Sequence, residues 1–420
     1  MKAFYVLLLF FASNLCLASP QWVKPTNTLT VSEGLAFWAG FSLFRDPWVA
    51  APASTLGRDG LGPLFNARSC DACHHNGAQG DLPEYGLGAV VRLGEISESG
   101  EGSNNIYGEQ LQTLSIDSLT GGNEIPAEAK WAIRWQPVTL TISERAFELK
   151  KPLLAFSDFA YGHVDTSVAQ SLRLAPPLFG LGDIDTLSDA EILSGEDPQD
   201  SNADGISGRA NRVLDRQTGK MTLGRFGYKA EQPNLRQQIA GAFFQDIGIS
   251  SWLYPQQNCS PVQTACLTAV TGNSSAEKTE ISREKLELVT AFSRELKAAN
   301  GTEKNARGEA LFSALGCSGC HQTFKRAAIY SDLLLHDMGP GLADNRPVYK
   351  ASGDEWRTTP LRGLNRKLMQ QPVQLLHDGR AATLTEALLW HGGEAAKVRK
   401  NFVELTSAQQ AELIEFLRAL

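Results

Sequence analysis

The chain has 420 residues, of which 42% are hydrophobic and 20% charged, with a formal net charge of −7. That length suffices for two or three domains, each burying its own core, and the mild acidity offers no basic footprint, which argues against nucleic acid as a partner. In chain order, residues 1–18 come first and read as a signal peptide: Lys2 is the positive n-region, Ala3–Ala12 is an apolar h-region, and Cys16-Leu17-Ala18 ends in a small residue suited to cleavage. A lipoprotein reading would need small residues just ahead of Cys16, where Asn14 and Leu15 stand. The h-region is too short to span a bilayer, so no membrane span is expected and the protein should be exported to the periplasm.

Residues 64–74 read LFNARSCDACH, and 311–321 read LFSALGCSGCH. Both fit L-F-x4-C-x2-C-H, and a repeat that carries the same apolar pair is not chance. Two thiols at this spacing can add to the vinyl groups of haem, and the following histidine then lies where its imidazole can ligate the iron. A four-cysteine zinc site would leave His74 and His321 unexplained. A thioredoxin-like pair would need a βαβ context, which is missing. Cys70, Cys73, His74 and Cys317, Cys320, His321 are therefore expected to hold two covalent haem c groups. The remaining pair of the exported chain, Cys259 and Cys266, reads as a small-loop disulfide.

Between the motifs, about residues 82–165 carry β-branched runs such as AVVRL, WAIRW and PVTLTI, expected as a β-rich insertion. DSNADG at 200–205 matches the first half of a calcium loop, with Asp200, Asn202 and Asp204 as oxygen ligands; a solvated acidic turn is the competing reading. Residues 281–298 are expected to form an amphipathic helix with Val289, Phe292 and Leu296 on one face. A second such helix, 406–420, has Leu413, Leu417 and Leu420 on one face and a Thr406/Gln409 capping box. Motif plus terminal helix, appearing twice, predicts a mainly α fold with two cytochrome c-like domains. The N-terminal domain, 19–301, carries the insertion, and the C-terminal domain is 302–420.

Six segments extend the pattern: GLGPLFNARSCDACH (60–74), RLAPPLFGLGDID (173–185), DGISGRAN (204–211), GRFGYKAEQPNLRQQIAGAFFQDIGI (224–249), SDLLLHDMGPGLAD (331–344) and LHDGRAATLTEALLWHGGEA (376–395). With them the chain resembles the di-haem oxidoreductases, relatives of the bacterial di-haem cytochrome c peroxidases and MauG-like enzymes. The resemblance implies a peroxidase that reduces hydrogen peroxide at the N-terminal haem. Electrons would enter from a small donor protein, a cytochrome or cupredoxin, through the C-terminal haem. It places a second axial ligand at His391, with Met338 as rival. It sets the acid that moves a proton between peroxide oxygens at Asp246, with Gln245 beside it, and Arg225 and Lys229 to balance charge. It offers Tyr228, next to Phe226, as the aromatic relay between haems. His163 is a candidate sixth ligand of the N-terminal haem, His75 is a bland neighbour, and His336 and His377 support the C-terminal haem or the interface. Two other readings stand beside this one: a di-haem electron carrier without a substrate site, and an accessory redox protein in iron handling.

Overall fold

The computed structural model describes residues 23–420 apart from 27–28, 56, 98, 101, 103–105, 273–276, 299–300, 302–303 and 326. The expected signal peptide and the 302 domain boundary lie outside the described residues. Two helix crossings organise the chain. The first joins Val31–Arg45 to Arg283–Glu295. Thr30 caps the opening helix in a complete capping box with Glu33, and Ser282 caps the later one. Phe292 packs against Phe37, Phe41 and Phe44, with ring centroids 5.2, 5.3 and 5.0 Å apart. At the closest approach stands Gly40, where a β-carbon would meet the Leu288 carbonyl oxygen at 2.0 Å.

The second crossing repeats this arrangement. Ala306–Leu315 packs against Ser407–Arg418, whose capping box is the expected Thr406–Gln409 pair. Phe312 meets Phe416 at 5.3 Å. Gly308 lies so close to the partner helix that a β-carbon would sit 2.2 Å from the Glu412 oxygen. In each crossing, a glycine of the earlier helix faces a carbonyl and, four residues on, the Cβ of a phenylalanine in the later helix.

The mainly α expectation is corrected here: the chain is mixed, with 30% helix and 18% strand. Helices gather at these crossings, whereas much of the chain between them runs as loops and as five two-stranded antiparallel sheets among the described residues. Burial of apolar residues at the two terminal helices gives the strong helical signal in the sequence. The connecting segments line a cavity and pack on one another as short turns and ribbons, which carry no sustained helical period.

The longest ribbon pairs Lys130–Ile142 with Arg145–Ser157. Trp131, Ile133 and Trp135 pack with the ribbon's Leu154 beside the N-terminal strands. Beyond Pro137 the inward phase switches to Val138, Leu140 and Ile142, which pack with Phe147 and Leu149 on the core of the C-terminal helices. Alternate residues of a strand point to opposite faces, so this ribbon presents one face to each half of the molecule. The Arg145 guanidinium donates to the Val403 carbonyl (2.7 Å) near its tip.

A shorter ribbon pairs Ala89–Leu93 with Gln170–Leu174, Val90 opposite Arg173 and Arg92 opposite Ser171. Val91, Leu93, Leu172 and Leu174 fill cores on one face. The other face carries Val90, Arg92, Ser171 and Arg173. The Cys259–Cys266 disulfide is formed, with the α-carbons 5.9 Å apart, and it packs with Leu64 and Ile125.

Candidate functional site

The first motif is a single helical turn, Cys70–Cys73, capped by the Ser69 hydroxyl, which accepts from the Ala72 N–H at 3.2 Å. The His74 N–H closes the turn on the Cys70 carbonyl at 2.8 Å. The second motif begins where Gly316, at φ 96°, ends the preceding helix in the left-handed region that glycine enters without strain. The His321 N–H then donates to the Cys317 carbonyl at 3.0 Å. Local sequence thus folds each C-x2-C-H into a turn that brings its two thiols and its imidazole together. All four cysteines are free thiols, and both motifs line one continuous cavity. Burial pushes the thiols of Cys73 and Cys317 up to about 12, and the Asp246 charge adds to the effect on Cys73.

Two histidines are held the same way. His321 Nδ1 lies 3.0 Å from the Tyr330 carbonyl, and His391 Nδ1 lies 2.7 Å from the Ala387 carbonyl. A carbonyl can only accept, so each Nδ1 carries the proton and each Nε2 keeps its lone pair. Burial holds His321 neutral, lowering it to about 4, and a charge on His391 would lower it further, so the two rings share one region of the cavity. His391 also ends the helix Leu384–Trp390. Met338 lines the same cavity. Burial also lowers His74. Its Nδ1 makes no normal hydrogen bond among the described residues, although the Pro176 and Ala78 carbonyls lie near and oppose the effect of burial.

Asp246 ends the helix Leu235–Asp246 and lines the cavity. Its Oδ1 accepts from Gln110 Nε2 at 2.7 Å. Its charge is felt by Cys70, Cys73 and His74, which places it at the first motif. Gln245 is turned elsewhere: its side-chain amide donates to Glu109 at 2.9 Å. Arg225 likewise points away, bonding the Leu187 carbonyl and Asp189. Lys229 is fully buried on Asp344 at 3.0 Å.

Tyr228 is on the cavity wall, its hydroxyl donating to the Leu174 carbonyl at 2.8 Å. Burial pushes its phenol well up. Phe226 lines the cavity as well. The sequence reading named His377 but missed Trp356, the ring that joins it to Tyr228. Trp356 meets Tyr228 edge-on at 6.5 Å and stacks flat on His377 at 3.8 Å. Trp356 lies between the segments 331–344 and 376–395 and in no motif, so only a signal of spatial pairing could have found it.

His336 is buried between Asp332 (2.8 Å) and Glu394 (2.7 Å), 3.7 Å from the Cys320 sulfur. Burial opposes its charge, but these partners overcome that and raise it to about 12, so it is an imidazolium. His163 is exposed and rests against Phe159 at 5.0 Å, away from the cavity wall. His75 is also at the surface, 3.2 Å from Asp71. In the 200–205 loop the oxygens turn onto backbone N–H groups: Asp200 and Asn202 accept from Asp204, and Asp204 accepts from Ile206. This geometry is that of a hydrogen-bonded acidic turn.

A cavity bounded by two C-x2-C-H turns and by histidines with free Nε2 atoms is that of a protein that carries two haems. The chain belongs to the family described as "Di-haem oxidoreductase, putative peroxidase", which matches residues 156–420. The second motif, His391 and Asp246 fall within that span; the first motif precedes it. No curated protein matches. Among solved structures, a hydrazine synthase from Kuenenia stuttgartiensis, studied under xenon pressure, aligns over 100% of both chains at 14% identity with a TM-score of 0.31, a likeness too slight to carry an argument.

Proposed function

We propose that this chain is a periplasmic di-haem c-type peroxidase, reducing hydrogen peroxide at the haem of the first motif with electrons delivered through the haem of the second. The observation that carries the reading is that four free thiols and the histidines His74, His321 and His391 line one cavity, with Tyr228 and Trp356 on its wall. Cys70, Cys73, Cys317 and Cys320 would form the thioethers, His74 and His321 would ligate the irons, and His391 would take the second position on the iron of the second motif. Haem bound there supplies an iron that exchanges single electrons.

The chain's own residues do the rest. The Tyr330 and Ala387 carbonyls orient the two imidazoles. Gln110 holds one oxygen of Asp246 in place, and the other oxygen can take a proton from one peroxide oxygen and return it to the other. Export is supported by the leader-like residues 1–18 and by the closed Cys259–Cys266 disulfide, which suits an oxidising compartment. Among the described residues, no helix is long and apolar enough to cross a membrane. A small cytochrome or cupredoxin remains the electron donor in this reading.

Electron paramagnetic resonance of the holoprotein, resting and after addition of one electron, tests it. The expected result is a high-spin iron that reacts with peroxide in at least one of those states. Two low-spin irons, inert to peroxide in both, would leave only an electron carrier.

A further inference from the structure

The ribbon of Ala89–Leu93 and Gln170–Leu174 turns its polar face to the cavity, so Arg92 and Arg173 line it together. Arg173 is 6% exposed. Its NH2 meets Asp344 at 2.6 Å, but its Nε and NH1 have no acceptor among the described residues. Asp344 is already shared, since Lys229 Nζ lies 3.0 Å from its other oxygen. Arg346, two residues on, is 2% exposed, and its Nε and NH2 also lack acceptors among the described residues. Another acid on the wall, Glu231, accepts from the Lys229 N–H at 2.7 Å.

One carboxylate therefore serves two buried cations, beside a third whose guanidinium is largely unsatisfied. A buried donor left without a partner is destabilising, and more so when it is charged. A buried cation cluster with spare donors, open to a cavity on one side, calls for an anion from that side. The two Arg173 nitrogens without acceptors, Nε and NH1, lie on different edges of the guanidinium, and each can donate a charge-assisted hydrogen bond to a carboxylate oxygen.

We infer that Arg173, with Arg92 beside it, is a carboxylate-binding site, and that the carboxylate is a propionate of a haem held in this cavity. The inference rests on the proposed haem occupancy and adds the residues that grip the cofactor's acidic edge. It also gives the site a function: a cation on a propionate disfavours the oxidised iron and raises that haem's potential.

The test uses the full-length protein matured with haem, in three forms: unaltered, Arg173→Gln and, should that variant fold poorly, Arg92→Gln. Covalent haem is counted by pyridine haemochrome, propionate bending bands are read by resonance Raman, and both midpoint potentials by spectroelectrochemistry. The expected result is two haems per chain throughout, with a shifted propionate band and a lowered midpoint for one haem in the variants. Two loaded haems with unchanged bands and midpoints would overturn the inference.

Titration with acetate, followed by the fluorescence of Trp356 under Arg173 (4.3 Å), separates the sources. A saturable response in the unaltered holoprotein, lost in Arg173→Gln, would mean a free carboxylate fills the site and would overturn the propionate assignment. Lack of response is the expected result. If the unaltered chain carries no covalent haem, the functional proposal fails instead. The same titration then decides the carboxylate site on the haem-free chain, where a response lost in Arg173→Gln supports it and no response overturns it.

Discussion

In the proposed function His391 and Asp246 have different roles, but they are held with similar restraint, each with one polar atom tied. His391→Gly removes a free Nε2 at the cavity wall, and the haem of the second motif should turn high-spin by absorption and paramagnetic resonance. An unchanged low-spin signal would pass the ligand role to Met338. Asp246→Asn keeps the shape and the Gln110 contact but not the proton, so peroxide turnover by stopped flow should slow on the order of 10²-fold. Since the Gln245 side chain is committed to Glu109, an unaltered rate would leave water as the proton carrier. At this scale the sequence was legible wherever chemistry is packed into consecutive residues. The C-x2-C-H turns announced themselves because five residues contain both thiols and the imidazole. Arg173, Asp344 and Trp356 did not, because a buried ion pair or a ring stack between distant segments leaves no local spacing to read.

The elements show the same division. Both terminal helices were legible from their apolar faces and caps, and the structure adds what each packs against. Gly40 and Gly308 mark the crossings, and this gives a prediction whose sign is informative. On an exposed helix, glycine to alanine stabilises by about 1 kcal/mol. Here the added methyl would meet the Leu288 or Glu412 carbonyl oxygen at 2.0 or 2.2 Å. Gly40→Ala and Gly308→Ala should each destabilise the holoprotein by about 1–3 kcal/mol in urea unfolding. Stabilisation by either would show that the helices do not approach so closely in solution. The strands of the 130–157 hairpin were legible from alternation, but its role was not. A phase change at Pro137 looks like an interruption until the two faces are seen to serve different cores. The helical content was overread because the two most patterned stretches are helices, and the loops around the cavity carry no period at all.

Across the whole molecule, the segment around residues 110–130 is tied to the body that carries the first motif at several points, and Glu128 makes one of those ties. One of its oxygens accepts from the Gln112 N–H and the other from the Gln263 amide beside the disulfide loop, both at 2.6 Å. Burial raises its carboxyl to about 8 against an ordinary 4.5, more than those two donors lower it. The folded chain therefore keeps a proton that the unfolded chain releases near pH 4.5. Between about pH 4.5 and 8, folding takes up this proton, and stability falls as pH rises, by up to about 1.4 kcal/mol per pH unit. The contribution is complete below the unfolded value and gone above the folded one. Glu128→Gln keeps the shape and cannot ionise. Urea midpoints measured across that window should fall with pH more steeply in the unaltered chain than in the variant, and the variant should gain on it toward pH 8. Parallel pH profiles would mean that the carboxyl stays ionised in the fold, held there by its two donors.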